Sequence, residues 1–511
     1  MRNEFFSILV DESRDVSVKD QMVVVLRYVD KKGYVIERFL AIVHIQDTSS
    51  LQLKTAIDSL FSKHSLSISK RGQGYDGASN MRGEFNGLKS LIRKKNQFAF
   101  YVHCFAHQLQ LTLVAVAQNY SHVALLFNLV AKITNVVGGS CKHRDTLRGK
   151  KIQRISKELE YGEPPIGRGL NQETNVKRVG DTRWGSHYGT LLNLVHMFSS
   201  VIDVLEIVTT DGSTSEQIGD ALTLLNSIQT FEFAFLLHLM KIILGRTNEL
   251  SQALQRKDQD IINAMTLVRL SKQQLGDLRN NEWESFMNEV SLFCSKQNIK
   301  IPNMEDKIIA QGQSRRMVEE TTNMHHFHIG IFNALIDWQL NELNDRFNEV
   351  NTELLLCVAC LDSNSEFAAF DKQKLIRLAK FYPLDFSPVE IQILASQLDT
   401  YILDMRSNDR FSQVTGIGDL SKKLVELKKS IVYPLVYQLI KLALLLPIAT
   451  ATVERTFSAM NIVKNRMRNR MGDEWMNECL VTYIERDVFD TINNETIMKH
   501  FQNMAPCRGI L

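Results

Sequence analysis

The chain lacks several features that would assign it to a specialised class of protein. Its net charge is only +3, from 60 Lys and Arg against 57 Asp and Glu, so an argument for nucleic-acid binding depends on local patches rather than on overall charge. Its seven cysteines are an odd number scattered over 511 residues, which disfavours a disulfide framework and favours a reducing compartment. No internal repeat and no low-complexity tract stands out.

Long apolar runs are also scarce. The longest covers residues 431–448, and Pro434, Gln438, Lys441 and Pro447 interrupt it, which favours a buried helix over a membrane span. No secretory signal precedes the first strand-like segment. The remaining composition, 44% apolar and 23% charged, is ordinary for a protein with a sizeable core. We therefore expect no membrane partner and about three domains.

Local patterns divide the chain into a β-rich beginning and a helical remainder. Residues 5–10 form a short apolar run, and residues 21–30 and 34–45 are rich in β-branched and aromatic side chains, which predicts a buried strand followed by a hairpin. Apolar residues at helical spacing follow over 51–64. Residues 109–137 read as apolar helix, a loop is expected over 161–182, and residues 186–445 read mainly as amphipathic helix. An α/β layer followed by helices is therefore expected.

Three acids stand where strands or helices begin or end. Asp11 ends the first apolar run, Asp76 lies in the glycine turn GYDGASNM, and Glu454 opens a helical stretch near the other end. Cleavage of a phosphodiester builds charge that two metal ions about 4 Å apart can neutralise. Mg²⁺ prefers carboxylate oxygens and keeps several waters. The pattern therefore predicts a metal-dependent phosphoryl-transfer site.

Each acid has a simpler explanation when it is taken alone. Asp11 would cap a turn, Asp76 would form an ordinary Asp-Gly turn, and Glu454 would favour a helix N-terminus. Their sequence contexts, rather than their identities, favour the functional interpretation.

Four motifs in chain order resemble the hAT superfamily of DNA transposases. They are residues 74–81 (GYDGASNM), 104–109 (CFAHQL), 182–190 (TRWGSHYGT) and 449–472 (ATATVERTFSAMNIVKNRMRNRMG). The branch with TTF-type or MYM-type zinc-finger proteins and a C-terminal hAT dimerisation region is the most similar one. The resemblance runs over nearly the whole chain.

The resemblance implies an RNase H-like catalytic fold interrupted by a large all-helical insertion. It implies a first part of the RNase H-like domain over 1–115, an insertion over 116–435, and a returning helix with the dimerisation region over 436–511. Asp11, Asp76 and Glu454 match the family's catalytic acids and would hold Mg²⁺ or Mn²⁺. This organisation also accounts for the long separation between Asp76 and Glu454.

Two further motifs carry roles that the resemblance implies. Cys104 and His107 fit a Cys-x-x-His motif beside the active site, and Trp184, preceded by Arg183, matches a tryptophan that stacks on a displaced base. An unpaired base offers a π-face to an aromatic side chain, so this role is physically reasonable. Two ligands make no closed zinc site, and we expect Cys104 and His107 to shape the active site.

Other Cys and His residues favour structural roles. Cys357 and Cys360 form a C-x-x-C inside an apolar stretch without a second ligand pair, which indicates buried core thiols. His325, His326 and His328 have no acidic or cysteine partner nearby in sequence, and we expect surface or capping positions.

Two basic stretches are candidates for phosphate contact. The first ends a short helix at Lys89, Arg93, Lys94 and Lys95. The second follows Glu454 and consists of Arg455, Lys464, Arg466, Arg468 and Arg470. Such a run is usually a solvated helix face, but next to a metal site it would position DNA without reading its sequence.

Two functional hypotheses follow. The first is a transposase catalytic region that cleaves DNA in the nucleus, and the second is a transposase-derived protein that self-associates through its C-terminal helices without cleavage. Active hAT enzymes carry an N-terminal zinc-binding module, whereas the first strand-like segment begins only a few residues after Met1. We expect that such a module is missing here.

Overall fold

The computed structural model describes most of the chain, and helices dominate the part that it describes. The described residues are 5–66, 72–83, 85–138, 140–160, 185–212, 214–256, 259–307, 321–347 and 353–503. Packing divides the chain into two compact units. The sheet unit comprises residues 1–108, 253–266 and 348–511, and the helical unit comprises residues 109–252 and 267–347.

One mixed sheet forms the centre of the sheet unit. Its strands are β1 (Phe6–Arg14), β2 (Asp20–Val29), β3 (Val35–His44), β4 (Gln73–Tyr75) and β5 (Tyr101–His103). Their spatial order is β3-β2-β1-β4-β5. The pairs β1–β2 and β2–β3 are antiparallel, whereas β1–β4 and β4–β5 are parallel. Strand β1 is therefore central, as its short apolar run predicts.

The two faces of the sheet are covered by different helices. Alternate residues of β1 point to opposite faces, so Phe6, Ile8 and Val10 join one core cluster, while Leu9 joins the other. The expected combination of a small α/β layer with a helical remainder is confirmed at this level of detail.

The early helices are α1 (Ser50–Lys63), α2 (Ser79–Arg82), α3 (Leu88–Lys95) and α4 (Phe105–Asn119). Helices α1, α2 and α3 contribute to the core on one face of the sheet. Buried side chains of α1 and α3 pack in the same cluster as Ile8 of β1. The helix predicted over 51–64 matches α1, and the short helix expected to end at Lys95 matches α3.

The middle of the chain is helical. Its helices are α5 (Ser121–Gly138), α6 (Cys141–Glu160), α7 (Gly185–Asp211), α8 (Ser215–Ile228), α9 (Phe231–Leu254), α10 (Ile261–Asn281), α11 (Trp283–Lys296), a π-helix (His325–Asn333) and α12 (Ala334–Arg346). By length and composition, α5 and the 187–211 part of α7 would each be able to cross a membrane, and the bent pair of α8 and α9 would add a third span. The absence of a membrane partner stays a prediction.

The last part of the chain returns to the sheet unit. Its helices are α13 (Glu353–Val358), α14 (Asn364–Phe367), α15 (Lys372–Lys380), α16 (Pro388–Ser407), α17 (Gly416–Glu426), α18 (Lys429–Val432), α19 (Pro434–Leu445), α20 (Ala451–Val463), α21 (Asp473–Ile484), α22 (Arg486–Phe489) and α23 (Asn494–Gln502). Short 3₁₀ turns cover Ala359–Leu361, Asp409–Phe411 and Arg466–Arg468. The predicted domain boundaries at 115 and 435 stay predictions.

Helix α21 and the residue after it cover the edge strand β3. The backbone N–H of Phe39 donates to Glu485 Oε1 at 2.7 Å, and that of Ile42 donates to Asn477 Oδ1 at 2.9 Å. Arg38 also pairs with Glu485 and Asp487. An uncovered edge strand is a template for unwanted pairing with another chain. Side chains near the C-terminus therefore complete the sheet.

Candidate active site

Asp11 lies on the central strand, on the face that α20 covers. It shares this face with Leu9, and its cross-strand partner is Val23, which has no exposed surface. The N–H of Glu12 donates to Asp11 Oδ1 at 2.8 Å. Burial, followed by the nearby carboxylates of Asp76 and then Glu454, raises the pKa of Asp11 to about 8. Asp11 therefore lies in the electrostatic field of both other predicted acids.

Asp76 follows strand β4, directly beside β1. The parallel register pairs Ile8 with Gln73 and Leu9 with Gly74, so Asp11 and Asp76 stand at the same end of two neighbouring strands. Asp76 Oδ1 also accepts a hydrogen bond from the N–H of Ala78 at 3.2 Å. The simple Asp-Gly turn is therefore present, and the turn also places the carboxylate at the strand end.

Glu454 is in the first turn of α20, which packs on the same face of the sheet. The segment that precedes α20 packs closely against strand β4. A Cβ atom added at Gly74 would lie 2.6 Å from Pro447 Cγ, so a larger residue at position 74 would displace that segment. The structure thus brings Asp11, Asp76 and Glu454 to one end and one face of the sheet.

Cys104 connects the end of β5 to the residue before α20. Its Sγ accepts hydrogen bonds from the Thr450 N–H at 3.3 Å and from Thr450 Oγ1 at 3.4 Å, and the His107 N–H donates to it at 3.4 Å. Burial raises the pKa of the thiol to about 11. This buried thiol positions the beginning of the helix that carries Glu454.

His107 lies on α4 and is partly exposed. Its ring centroid is 5.9 Å from that of His103, the last residue of β5. The ring of His103 is buried against Gly77, where an added Cβ would lie 2.7 Å from His103 Nε2. Sequence reasoning missed His103, although it stands one residue before the Cys-x-x-His motif.

Glu12 is a second residue that sequence reasoning did not select. Strand alternation places it on the opposite face from Asp11. Its Oε1 accepts a hydrogen bond from Asn80 Nδ2 at 2.9 Å. Burial raises the pKa of Glu12, and the Asp76 carboxylate adds to this effect. The sequence contained one signal for Glu12. Asn80 belongs to the GYDGASNM motif, and its hydrogen bond to Glu12 connects this motif to β1, the strand that also carries Asp11.

The donor chemistry of the three acids suits a hard divalent cation. Carboxylate oxygens are the ligands that Mg²⁺ and Mn²⁺ accept. A cation would relieve the repulsion from Asp76 and Glu454 that adds to burial in raising the pKa of Asp11. Among the residues that the structure describes, no three His, Cys, Asp or Glu side chains form a ready-made ligand cluster. The metal ligands therefore stay a prediction based on the placement and chemistry of the three acids.

The basic run after Glu454 divides into buried and exposed members. Lys464 is 1% exposed and donates to Asp15 at 2.7 Å. It is therefore not available to a phosphate, and it is removed from the predicted DNA-contacting residues. Arg455 donates to the backbone carbonyls of Ala451 and Gln255.

The remaining three arginines of this run are exposed. They are Arg466, Arg468 and Arg470. In the first basic stretch, Lys95 pairs with Asp58 and Lys89 lies over the ring of Tyr101. Arg183 and Trp184 lie outside the described residues, and their roles stay predictions.

Four further Cys and His candidates are either buried in the core or in contact with other rings. Cys357 and Cys360 are buried free thiols. The ring of His328 stacks on Trp283 with a centroid distance of 4.1 Å. The ring of His326 lies 6.1 Å from that of His122, which hydrogen-bonds Glu232.

Two family descriptions match the chain, one near each end. The description "ZMYM1/FAM200, RNase-like domain" matches residues 1–87, which include Asp11 and Asp76. The description "hAT family C-terminal dimerisation region" matches residues 412–488, which include Glu454. The chain is related to the hAT superfamily. The resemblance drawn from the four sequence motifs is thereby confirmed.

Comparisons over nearly the full chain agree with this relationship. The human protein "52 kDa repressor of the inhibitor of the protein kinase" is 18% identical over 495 residues, which cover 95% of this chain and 62% of the relative. The mouse protein of the same name is 18% identical over 496 residues with the same coverage. This chain spans less than two thirds of the length of these relatives.

Proposed function

We propose that this hAT-related chain cleaves and joins DNA phosphodiesters with a divalent metal held by Asp11, Asp76 and Glu454. The observation that carries the proposal is the parallel register of β1 and β4, which sets Asp11 beside Asp76 at one end of the sheet, within the electrostatic field of Glu454. The strand order β3-β2-β1-β4-β5, with β2 antiparallel to both neighbours, supports an RNase H-like fold. The match to an RNase-like domain supports it as well.

The residues around the acids would position them for this chemistry. Mg²⁺ or Mn²⁺ would supply charge stabilisation at the phosphate and an activated oxygen nucleophile. Asp11 and Asp76 are fixed by neighbouring parallel strands. Glu454 depends on the contacts of Cys104 with Thr450 at the beginning of α20. The protein would thus hold two acids rigidly and bring the third from a helix.

Arginine side chains would position the DNA. Arg466, Arg468 and Arg470 are exposed at the far end of α20, and phosphate contacts fix the register of a duplex without reading its sequence. Arg183 and Trp184 would stabilise a displaced base, as the family motif predicts. Arg455 would contribute after releasing its hydrogen bonds to backbone carbonyls.

The decisive experiment is a nicking assay with the purified chain and a supercoiled plasmid in Mg²⁺ or Mn²⁺. We expect Asp76→Asn to lower the rate at least about a hundredfold, because electrostatic stabilisation of transferring phosphate is the main catalytic term. Asp220→Asn replaces an exposed acid outside the site and should leave the rate unchanged. Equal rates for the wild type and Asp76→Asn would remove this site from the mechanism.

Metal binding tests the same residues without relying on activity. Titration with Mn²⁺, followed by calorimetry or electron paramagnetic resonance, should show binding to the wild type that weakens in Asp11→Asn and Glu454→Gln. Each substitution removes a charged oxygen ligand while keeping the side-chain shape. Asp220→Asn again serves as the matched control.

The second candidate function is self-association without cleavage. Residues 412–488 match a dimerisation region, and the C-terminal helices carry partly exposed apolar side chains that a second copy would bury. They are Trp475, Tyr483, Phe489, Ile492 and Phe501. Light scattering should show a dimer that Phe489→Asp weakens, whereas Leu403→Asp, at an exposed position on α16, should leave it intact. We also propose a nuclear location, since chromosomal DNA would be the substrate of the first candidate.

A further inference from the structure

Two apolar side chains are exposed on adjoining loops of the sheet unit. Met467 is 96% exposed in the loop 465–470, which we call the arginine loop, and Val18 is 74% exposed in the turn 15–19, which we call the Val18 turn. Ser17 Oγ donates to the Asn469 carbonyl at 3.0 Å and joins the two loops. Large apolar groups held this far into solvent on joined loops suggest a binding surface.

Hydrogen bonds and one buried ion pair fix the conformation of both loops. Asp15 accepts hydrogen bonds from the N–H groups of Ser17 and Lys19 at 2.8 and 3.0 Å, and its other carboxylate oxygen pairs with the buried Lys464. Asn465 Oδ1 accepts from the Met467 N–H at 3.0 Å. A preorganised surface loses little conformational freedom when it binds a partner.

The backbone at Val18 is strained. Its φ is +61°, a left-handed conformation that is unfavourable for a β-branched side chain. Asn or Gly would adopt this conformation more readily. Because the side chain is exposed, burial within this chain does not offset the strain, and such outliers often mark functional positions.

The charges around Met467 suit a polyanion. Arg466, Arg468 and Arg470 flank it, and among the described residues these three guanidinium groups form no ion pair with an acid. Arg14, at the end of β1, adds a fourth cation, and its partner Asp20 is partly exposed. Exposed apolar side chains flanked by arginines suit a DNA duplex. The apolar groups would contact the stacked bases, and the arginines would bind the phosphate backbones on either side.

This surface lies near the candidate active site. Arg14 is three residues beyond Asp11 on β1, which is about 10 Å along the strand. Glu454 and Lys464 are ten residues apart, which is about 15 Å along a helix. Both separations are shorter than one turn of DNA, about 34 Å, so one duplex would reach both places.

We propose that Met467 and Val18 enter the minor groove of duplex DNA and partly unstack a base step, while Arg466, Arg468 and Arg470 bind the flanking phosphates. This inference deepens the proposed function because it names the form of DNA that the site receives. It does not require cleavage. A second copy of this chain is the competing occupant, and the experiment separates the two.

The test uses the full chain and a duplex of about 30 base pairs without divalent metal, so that no cleavage occurs. Fluorescence anisotropy gives the affinity, and energy transfer between dyes on the two DNA ends gives the bend. Met467→Ala should weaken binding about threefold to tenfold and reduce the bend. Leu403→Ala, at another exposed apolar position, should change neither quantity.

Salt dependence separates the apolar and the charged contributions. Met467→Ala should leave the slope of affinity against salt unchanged, whereas Arg468→Gln should lower it by about one. Unchanged affinity and bend in Met467→Ala would overturn the inference. A change in oligomeric state alone, measured by mass photometry, would overturn it in favour of a contact between copies.

Val18→Asn gives effects of opposite sign on folding and binding. Relief of the backbone strain should raise the midpoint of thermal unfolding by roughly 1–3 °C, while loss of the apolar tip should weaken DNA binding about threefold. Unchanged binding would remove Val18 from the proposal. Asp76→Asn removes a negative charge from the candidate active site, so without metal it should bind DNA at least as tightly as the wild type and keep the bend. Failure of the catalytic proposal is thereby distinguishable from failure of this one.

Discussion

Lys464 Nζ lies 2.7 Å from Asp15 Oδ2, and the side chains of the two residues are 1% and 0% exposed. This ion pair joins the end of α20 to the turn after β1, although 449 positions separate the two residues. Burial acts to raise the pKa of Asp15, but Lys464 and the N–H groups of Lys19 and Ser17 together lower it. The pair therefore anchors the helix that carries Glu454.

Removal of the cation should destabilise the sheet unit strongly. Lys464→Met should lower the free energy of unfolding by about 3–5 kcal/mol, because it leaves a buried carboxylate without its partner. The matched control is Lys422→Met, since Lys422 and Asp419 form an exposed pair of the kind that contributes about 0–1 kcal/mol. Urea unfolding of the full chain measures both. Equal effects would show that the buried pair does not anchor the helix.

The edge strand gives a second prediction. Glu485→Ala removes the acceptor for the Phe39 N–H and a partner of Arg38, so we expect a loss of about 1–3 kcal/mol and more self-association through β3. Glu478→Ala changes an exposed acid on the same helix and should have little effect. Urea unfolding and light scattering provide the measurements. A variant as stable and as monodisperse as its control would contradict the capping role.

Cys104 should react with alkylating reagents only after unfolding. Burial raises the pKa of its thiol to about 11, so at pH 8 little thiolate is present and the sulfur is inaccessible. Cys479 is partly exposed and should react before Cys104 in the native protein. Mass spectrometry after timed treatment with iodoacetamide measures the order. Labelling of Cys104 at the rate of Cys479 would indicate that the contact with Thr450 opens frequently.

The helical unit should show a pH-dependent contribution from one pair. The hydrogen bond with Glu232 raises the pKa of His122 despite partial burial, and the same bond lowers the pKa of Glu232. Stability from His122 is complete below its ordinary pKa of 6.5 and is lost as the pH rises through the raised value. Stability from Glu232 is present above its ordinary 4.5 and is lost as the pH falls through the lowered value.

The measurement compares wild type and His122→Gln by urea unfolding at pH 5.5 and pH 9. Both side chains are at least one third exposed, so the difference between the two pH values should be only about 0.5–1 kcal/mol. Glu232→Gln should abolish the dependence. Stability differences that are equal at both pH values would show that the pair contributes nothing measurable.

Local patterns predicted the elements but not their long-range partners. The hairpin, α1 and α3 follow from residue spacing within short segments. Strand β1, however, continues to Arg14, and Asp11 lies inside it rather than after it. The burial of Lys464 was not predictable because its partner Asp15 is distant in sequence.

The acids of the candidate site were selected from their sequence contexts and from family motifs, because a single Asp or Glu carries little signal. Two neighbours of the site, Glu12 and His103, had no motif of their own. Their positions depend on strand register and on the close approach of Gly77 to the His103 ring. Such relationships exist only in the folded chain.

The capping of β3 by α21 has a consequence for synthesis of the protein. Phe39 and Glu485 are 446 positions apart, and ribosomes add about 5–20 residues per second. The new sheet would therefore wait roughly 20–90 s for the segment that closes its edge. During that interval the edge of β3 would be open to pairing with other molecules.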